Sequence, residues 1–171
     1  QAGAVIDCKI APGTADFSRG PAMSREQAVA ALEAGIRVAQ QLAPKVDVFA
    51  TGEMGIGNTS PSSAIVAVLS GLTDPAPFVG RGAGLDPSKL AHKAAVIRRG
   101  IELNRPDPAD GVDVLAKVGG FEIGGIAGLV LGAARLHKPV VVDGFISSAG
   151  ALIAAALSPA SRDYMILGHG S

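Results

Sequence analysis

Tryptophan is absent from these 171 residues, tyrosine occurs once, and aromatic residues make up only 4% of the chain. With so few rings there is no stacking platform for nucleic-acid bases. A basic field is missing too, because fifteen Lys and Arg are matched by fifteen Asp and Glu. Zero formal charge offers no footprint for a phosphate backbone, so nucleic acid is not the expected partner and a small molecule is. Cysteine occurs once, as Cys8, which rules out an intrachain disulfide and a multi-cysteine metal site and suits a reducing cytoplasm. Three scattered histidines without an acidic cluster give no metal-ligand spacing, and no metal or cofactor is expected. Long apolar runs are also scarce. GGIAGLVLGAARL and ISSAGALIAAAL fall short of the roughly 18 residues a membrane crossing needs, so they read as buried helices and no membrane partner is expected.

What the chain does have is 48% hydrophobic residues and 23 glycines, enough for one globular domain with a sizeable core. SREQAVAALEAGIRVAQQLAP predicts a helix. Ser24 and Gln27 have capping-box spacing, Ala28, Leu32, Ile36 and Ala39 form a stripe, and Pro44 stops it. VDVFAT (46–51) predicts a short strand. Ser60 before Pro61 predicts the start of a helix over 61–70 that ends at Gly71, and Asp86 before Pro87 predicts another with Leu90, Ala94, Ile97 and Ile101 on one face. DPADGVDVLAKVGG offers a short helix and FEIGGIAGLVLGAARLH (121–137) a longer one. In the latter Gly124, Gly128 and Gly132 recur every fourth residue, a bare face that lets another backbone approach. KPVVVDGF and DYMILGHGS each give an apolar strand that runs into glycine, with a helix between them. Continuously apolar strands that alternate with helices predict an α/β fold with a doubly wound, mainly parallel sheet of Rossmann-like three-layer architecture. In such sheets ligands lie beyond the carboxyl ends of the strands, where the loops converge.

The loops carry the chemistry. GEMGIGNTSP and VGRGAGLDP are glycine loops that lead into helix N-termini, each able to offer backbone N–H groups and a positive dipole end to a phosphate. Neither matches a standard nucleotide signature: there is no GxxxxGK[ST], and Ser60 stands where a dinucleotide fingerprint places its third glycine. A single loop of this kind reads equally as a tight turn whose glycines take positive φ. Glu53, alone at the mouth of the first loop, is either an ordinary capping acid or a group placed beside developing positive charge. Asp143, at a strand's carboxyl end, reads evenly as a ribose ligand or as a cap for the next helix. Lys93 alone reads as part of a solvated helix face.

Five blocks taken together are more specific. APGTADFSRGPAMSREQA (11–28), GEMGIGNTSPSSA (52–64), VGRGAGLD (79–86), VGGFEIGGIAG (118–128) and VVVDGFISSAGAL (140–152) resemble, in order and over nearly the whole chain, the nicotinate-nucleotide:dimethylbenzimidazole phosphoribosyltransferases of cobalamin biosynthesis. Ser60 and Ala83 depart from the threonines of that pattern. The family is longer than this chain, and its catalytic glutamate falls in a segment that would follow Ser171. The 171 residues are therefore expected to be one phosphoribosyl-binding α/β domain, a central portion lacking the family's N-terminal and C-terminal parts.

The resemblance implies transfer of the phosphoribosyl group of nicotinate mononucleotide to 5,6-dimethylbenzimidazole by a cytoplasmic homodimer that needs no cofactor. It implies that Gly55, Gly57 and Asn58 hold the phosphoribosyl group, with Gly82, Gly84, Asp143 and Gly144 from neighbouring loops. Glu53 serves the ribose and oxocarbenium side, Lys93 lies beside the substrate, and Ser171 is the phosphate-side serine; the general base lies outside the chain. Two other readings share these loops: a kinase or dehydrogenase using another nucleotide, against which the failed fingerprints count, and a phosphoribosyl-binding domain that is catalytically incompetent on its own.

Overall fold

The computed structural model describes residues 5–72, 74–82, 84, 86–168 and 170. In chain order the elements are α1 (Arg25–Leu42), β1 (Phe49–Ala50), α2 (Thr59–Ser70), α3 (Leu90–Asn104), α4 (Gly111–Val118), α5 (Phe121–Arg135), β2 (Val140–Val142), α6 (Phe145–Leu157) and β3 (Met165–Leu167). Short 3-10 turns at Ala43–Lys45, Ala76–Phe78, Pro87–Lys89 and Pro159–Tyr164 join them. The strands pair in parallel in the order β1-β2-β3, with Phe49 opposite Val140 and Val140 opposite Met165. This is a mixed α/β, Rossmann-like fold with a parallel sheet, and every strand delivers its carboxyl end to the same edge.

Local chemistry sets the ends of the elements. The expected capping box opens α1: Ser24 Oγ accepts from Gln27 N at 3.2 Å and Gln27 Oε1 accepts from Ser24 N at 3.0 Å. Pro44 lies in the 3-10 turn that follows α1. The strand expected over 46–51 is confined to Phe49–Ala50. Its ladder begins with Phe49 N donating to Pro139 O at 2.9 Å, and the neighbouring chain before Pro139 is a turn in which His137 has φ 56°, so earlier residues have no extended partner. The second helix begins one residue before the expected Ser60 cap. Asn58 is the N-cap, its carbonyl receiving Ser62 N at 3.1 Å, and Pro61 falls third in the helix, where a missing N–H still goes unneeded. The expected cap at Asp86 opens a 3-10 turn, with α3 following from Leu90. Between α2 and the second glycine loop the described residues hold only the 3-10 turn at Ala76–Phe78, so no strand leads directly into that loop.

α5 lies on α1 along its glycine face. A Cβ on Gly128 would collide with the carbonyl oxygen of Leu32, and one on Gly35 with that of Gly125. At Gly132 it would stand 2.8 Å from Ala39 Cβ. The bare face therefore serves tight packing within the domain, and no helix among the described residues is long and apolar enough to cross a membrane. Ile65, Ile97, Leu115, Ile123, Val130, Val140 and Ile153 are fully buried and make the middle of the core.

Candidate functional site

The carboxyl edge of the sheet is tied together by Thr51, the residue after β1. Its N–H donates to Val141 O at 2.9 Å, its hydroxyl donates to the same carbonyl at 3.3 Å, and its Oγ1 accepts from Asp143 N at 3.4 Å. The loops after β1 and β2 are thus joined at their roots. From Thr51 the first loop turns sharply, with Ile56 N donating to Met54 O at 2.7 Å, and Gly57 takes φ 79°. Within this loop Asn58 Nδ2 donates to Glu53 Oε2 at 2.7 Å and to Met54 O at 3.1 Å. Gly55 lies beside that carboxylate, where a Cβ would stand 4.0 Å from Oε2 in ordinary van der Waals contact.

Lys93 brings in the second glycine loop. Its Nζ donates to Thr59 Oγ1 and to Gly80 O, both at 2.9 Å, so one ammonium joins α3, the first residue of α2 and the loop. Burial pushes the Lys93 ammonium below the usual lysine range. Gly82, at φ 55°, has its missing Cβ 3.0 Å from Thr59 Oγ1; a side chain there would displace the threonine hydroxyl. Gly84 has φ 105° and open space around it. Asp143 is exposed and its carboxylate makes no hydrogen bond among the described residues. α6 follows with Gly144 (φ 90°) as N-cap and no side-chain cap, so the capping alternative for Asp143 falls away. Ser171 lies outside the described residues. The structure thus bonds Glu53 to Asn58 within the loop that holds Gly55 and Gly57, ties Lys93 to Thr59 and Gly80 beside Gly82, and links Asp143 and Gly144 to the first loop through Thr51.

A cavity of about 470 Å³ opens beside Glu53. Gly35 and Val38 of α1, Phe121, Gly125 and Leu129 of α5, and Thr51 and Met54 of the loop are among its walls, so its interior is mainly apolar with carboxylates at Glu53 and Glu122. A second hollow of about 440 Å³ shares Met54, Phe121 and Glu122 with it and reaches Gly57 and Asn58. Met54 and Ile56 are 76% and 74% exposed, large apolar side chains turned outward beside these openings. Thr51, Phe121 and Glu122 went unassigned in the sequence reading. An acid in the first turn after paired glycines is a signal that could have found Glu122; Thr51 offers only its place at a strand end.

Parallel strands with loops turning at one edge, helices packed around them and a carboxylate beside a mainly apolar cavity define an α/β protein with a cleft at the carboxyl edge of its sheet. A family model described as phosphoribosyltransferase matches residues 1–171, and the chain belongs to that family. It is similar to the nicotinate-nucleotide–dimethylbenzimidazole phosphoribosyltransferase of Syntrophotalea carbinolica, 58% identical over all of this chain and 48% of that protein. The corresponding protein of Desulforudis audaxviator is 59% identical over 98% of this chain and 47% of its own length. Among solved structures, CobT from Thermus thermophilus superposes with a TM-score of 0.90 at 40% identity, covering 98% of this chain and 50% of that one. The chain spans about half the length of the curated relatives it matches.

Proposed function

We propose that this chain supplies the phosphoribosyl-binding half of a nicotinate-nucleotide:dimethylbenzimidazole phosphoribosyltransferase, which makes α-ribazole 5′-phosphate and nicotinate. The observation that carries the reading is the Glu53 carboxylate, fixed by Asn58 within a glycine loop and open to a mainly apolar cavity. The names of relatives more than half identical in sequence support the same assignment. The glycosidic C–N bond of the substrate breaks with its electron pair passing to the pyridinium nitrogen, so the leaving group departs without a general acid. A benzimidazole nitrogen then forms the new bond to the anomeric carbon with inversion, and its other nitrogen releases a proton. Glu53 meets a ribose hydroxyl and places negative charge beside the oxocarbenium-like centre. The N-termini of α2 and α6, neither bearing a side-chain cap, and the turns at Gly55, Gly57, Gly82, Gly84 and Gly144 offer N–H groups to the 5′-phosphate. Lys93 stands beside it, Asp143 faces the ribose and Ser171 is the phosphate-side serine. The glutamate that takes the acceptor's proton is assigned outside these residues.

A cytoplasmic homodimer belongs to the same proposal; a lone cysteine suits that compartment, and sedimentation velocity tests the dimer. Calorimetric titration with nicotinate mononucleotide tests the binding role. Glu53→Ala is expected to weaken binding about tenfold, the loss of a hydrogen bond to a charged group. Equal affinity in the two proteins would remove Glu53 from the site. ATP and NAD serve as competing ligands, and tighter binding of either would favour a kinase or a dehydrogenase.

A further inference from the structure

Asn58 is the N-cap of α2, with its own backbone in the right-handed helical region at φ −106° and ψ −4°. An asparagine at such a position commonly turns its carbonyl oxygen onto the second or third N–H of the helix, but the third residue here is Pro61, which has none. Here it makes no capping bond. Its amide points back along the chain to Glu53 Oε2 and Met54 O. Both of those atoms are acceptors, so the end of the amide that meets them is the nitrogen, and both its protons are taken. The other end, Oδ1, is fully buried without a hydrogen-bond partner among the described residues. The residue as a whole is 4% exposed.

The cost carried by this side chain is therefore an orphaned buried acceptor. What the observed arrangement secures is the direction of the Glu53 carboxylate: Oε2 is held, and Oε1 takes no hydrogen bond among the described residues. We propose that Asn58 is a positioning residue that acts through Glu53, locking its carboxylate toward the ribose-side ligand rather than binding that ligand itself. This rests on the role given to Glu53 above.

A double-mutant cycle on this chain, read by calorimetric affinity for nicotinate mononucleotide at pH 8, tests it. Asn58→Ala is expected to weaken binding about tenfold when Glu53 is present, the scale of a hydrogen bond to a charged group, and to add nothing when Glu53 is already alanine. Asn58→Asp keeps the shape but opposes a second acceptor to Oε2, and its loss should be at least as large. Equal losses from Asn58→Ala in both backgrounds, or full affinity in Asn58→Asp, would overturn the inference. Melting temperatures of the four ligand-free proteins of the Ala cycle read the 53–58 bond directly and should be non-additive. Additive values refute the inference whatever the ligand does, whereas unchanged affinity in Glu53→Ala with non-additive melting temperatures refutes only the functional reading.

Discussion

Asp110 shows how a single side chain can fasten distant parts of the chain. Its Oδ1 accepts from Val112 N at 3.0 Å and Asp113 N at 3.1 Å to cap α4, while Oδ2 takes Arg25 Nη1 at 2.7 Å from the first turn of α1. The Arg25 guanidinium, aided by the α4 N–H groups, holds this carboxyl below the usual aspartate range. Because the folded-state value is depressed, the stability it contributes is present above the ordinary aspartate range and is lost as the pH falls through that range to the folded value. Urea denaturation of Asp110→Ala near neutrality should show a loss of about 1 kcal/mol from the cap alone. The gap between wild type and Asp110→Asn, which keeps an acceptor but no charge, should narrow as the medium is acidified below the ordinary aspartate range. The Ser24–Gln27 capping box was legible in the sequence because both partners lie within one turn. The inward turn of Asn58 was not, because it is decided by where the preceding loop carries Glu53.

Between elements, the decisive contact is α1 against α5. The glycine spacing in FEIGGIAGLVLGAARLH announced a face without side chains, and the structure supplies its partner: Leu32, Gly35, Ile36 and Ala39 of α1. Gly128→Ala would drive a methyl group into the Leu32 carbonyl, so the helices must separate. Overpacking of this kind costs roughly 1–3 kcal/mol, and a melting temperature lowered to match is expected in a thermal scan; an unchanged value would mean that the seam yields freely. Periodicity revealed α1, α5 and α6 because each carries several turns of apolar residues. The 3-10 turns and the short β1 were less visible, since each depends on what neighbouring segments do: β1 starts where Pro139 provides the first paired carbonyl.

For the molecule as a whole, the balance of fifteen cationic and fifteen anionic side chains leaves little mutual repulsion between copies near neutrality. Solubility should therefore pass through a minimum around neutral pH and rise on either side, which light scattering across a pH series would record; a monotonic curve would contradict it. The parallel sheet could be read from the runs VVV and MIL, because continuously apolar strands without polar alternation mark parallel pairing, even though Ile166 and Leu167 of the outer strand stay exposed. The cavity could not, since α1 and α5, which line it, are far apart in the chain and their spacing appears in no local pattern. That spacing has a further consequence. Gly35 and Gly125 belong both to the helix seam and to the cavity wall, so main-chain contact acts as a gauge for the chamber's width. Swapping one wall residue for another would reshape its lining, but changing the thickness of the guest it admits would require re-spacing two helices.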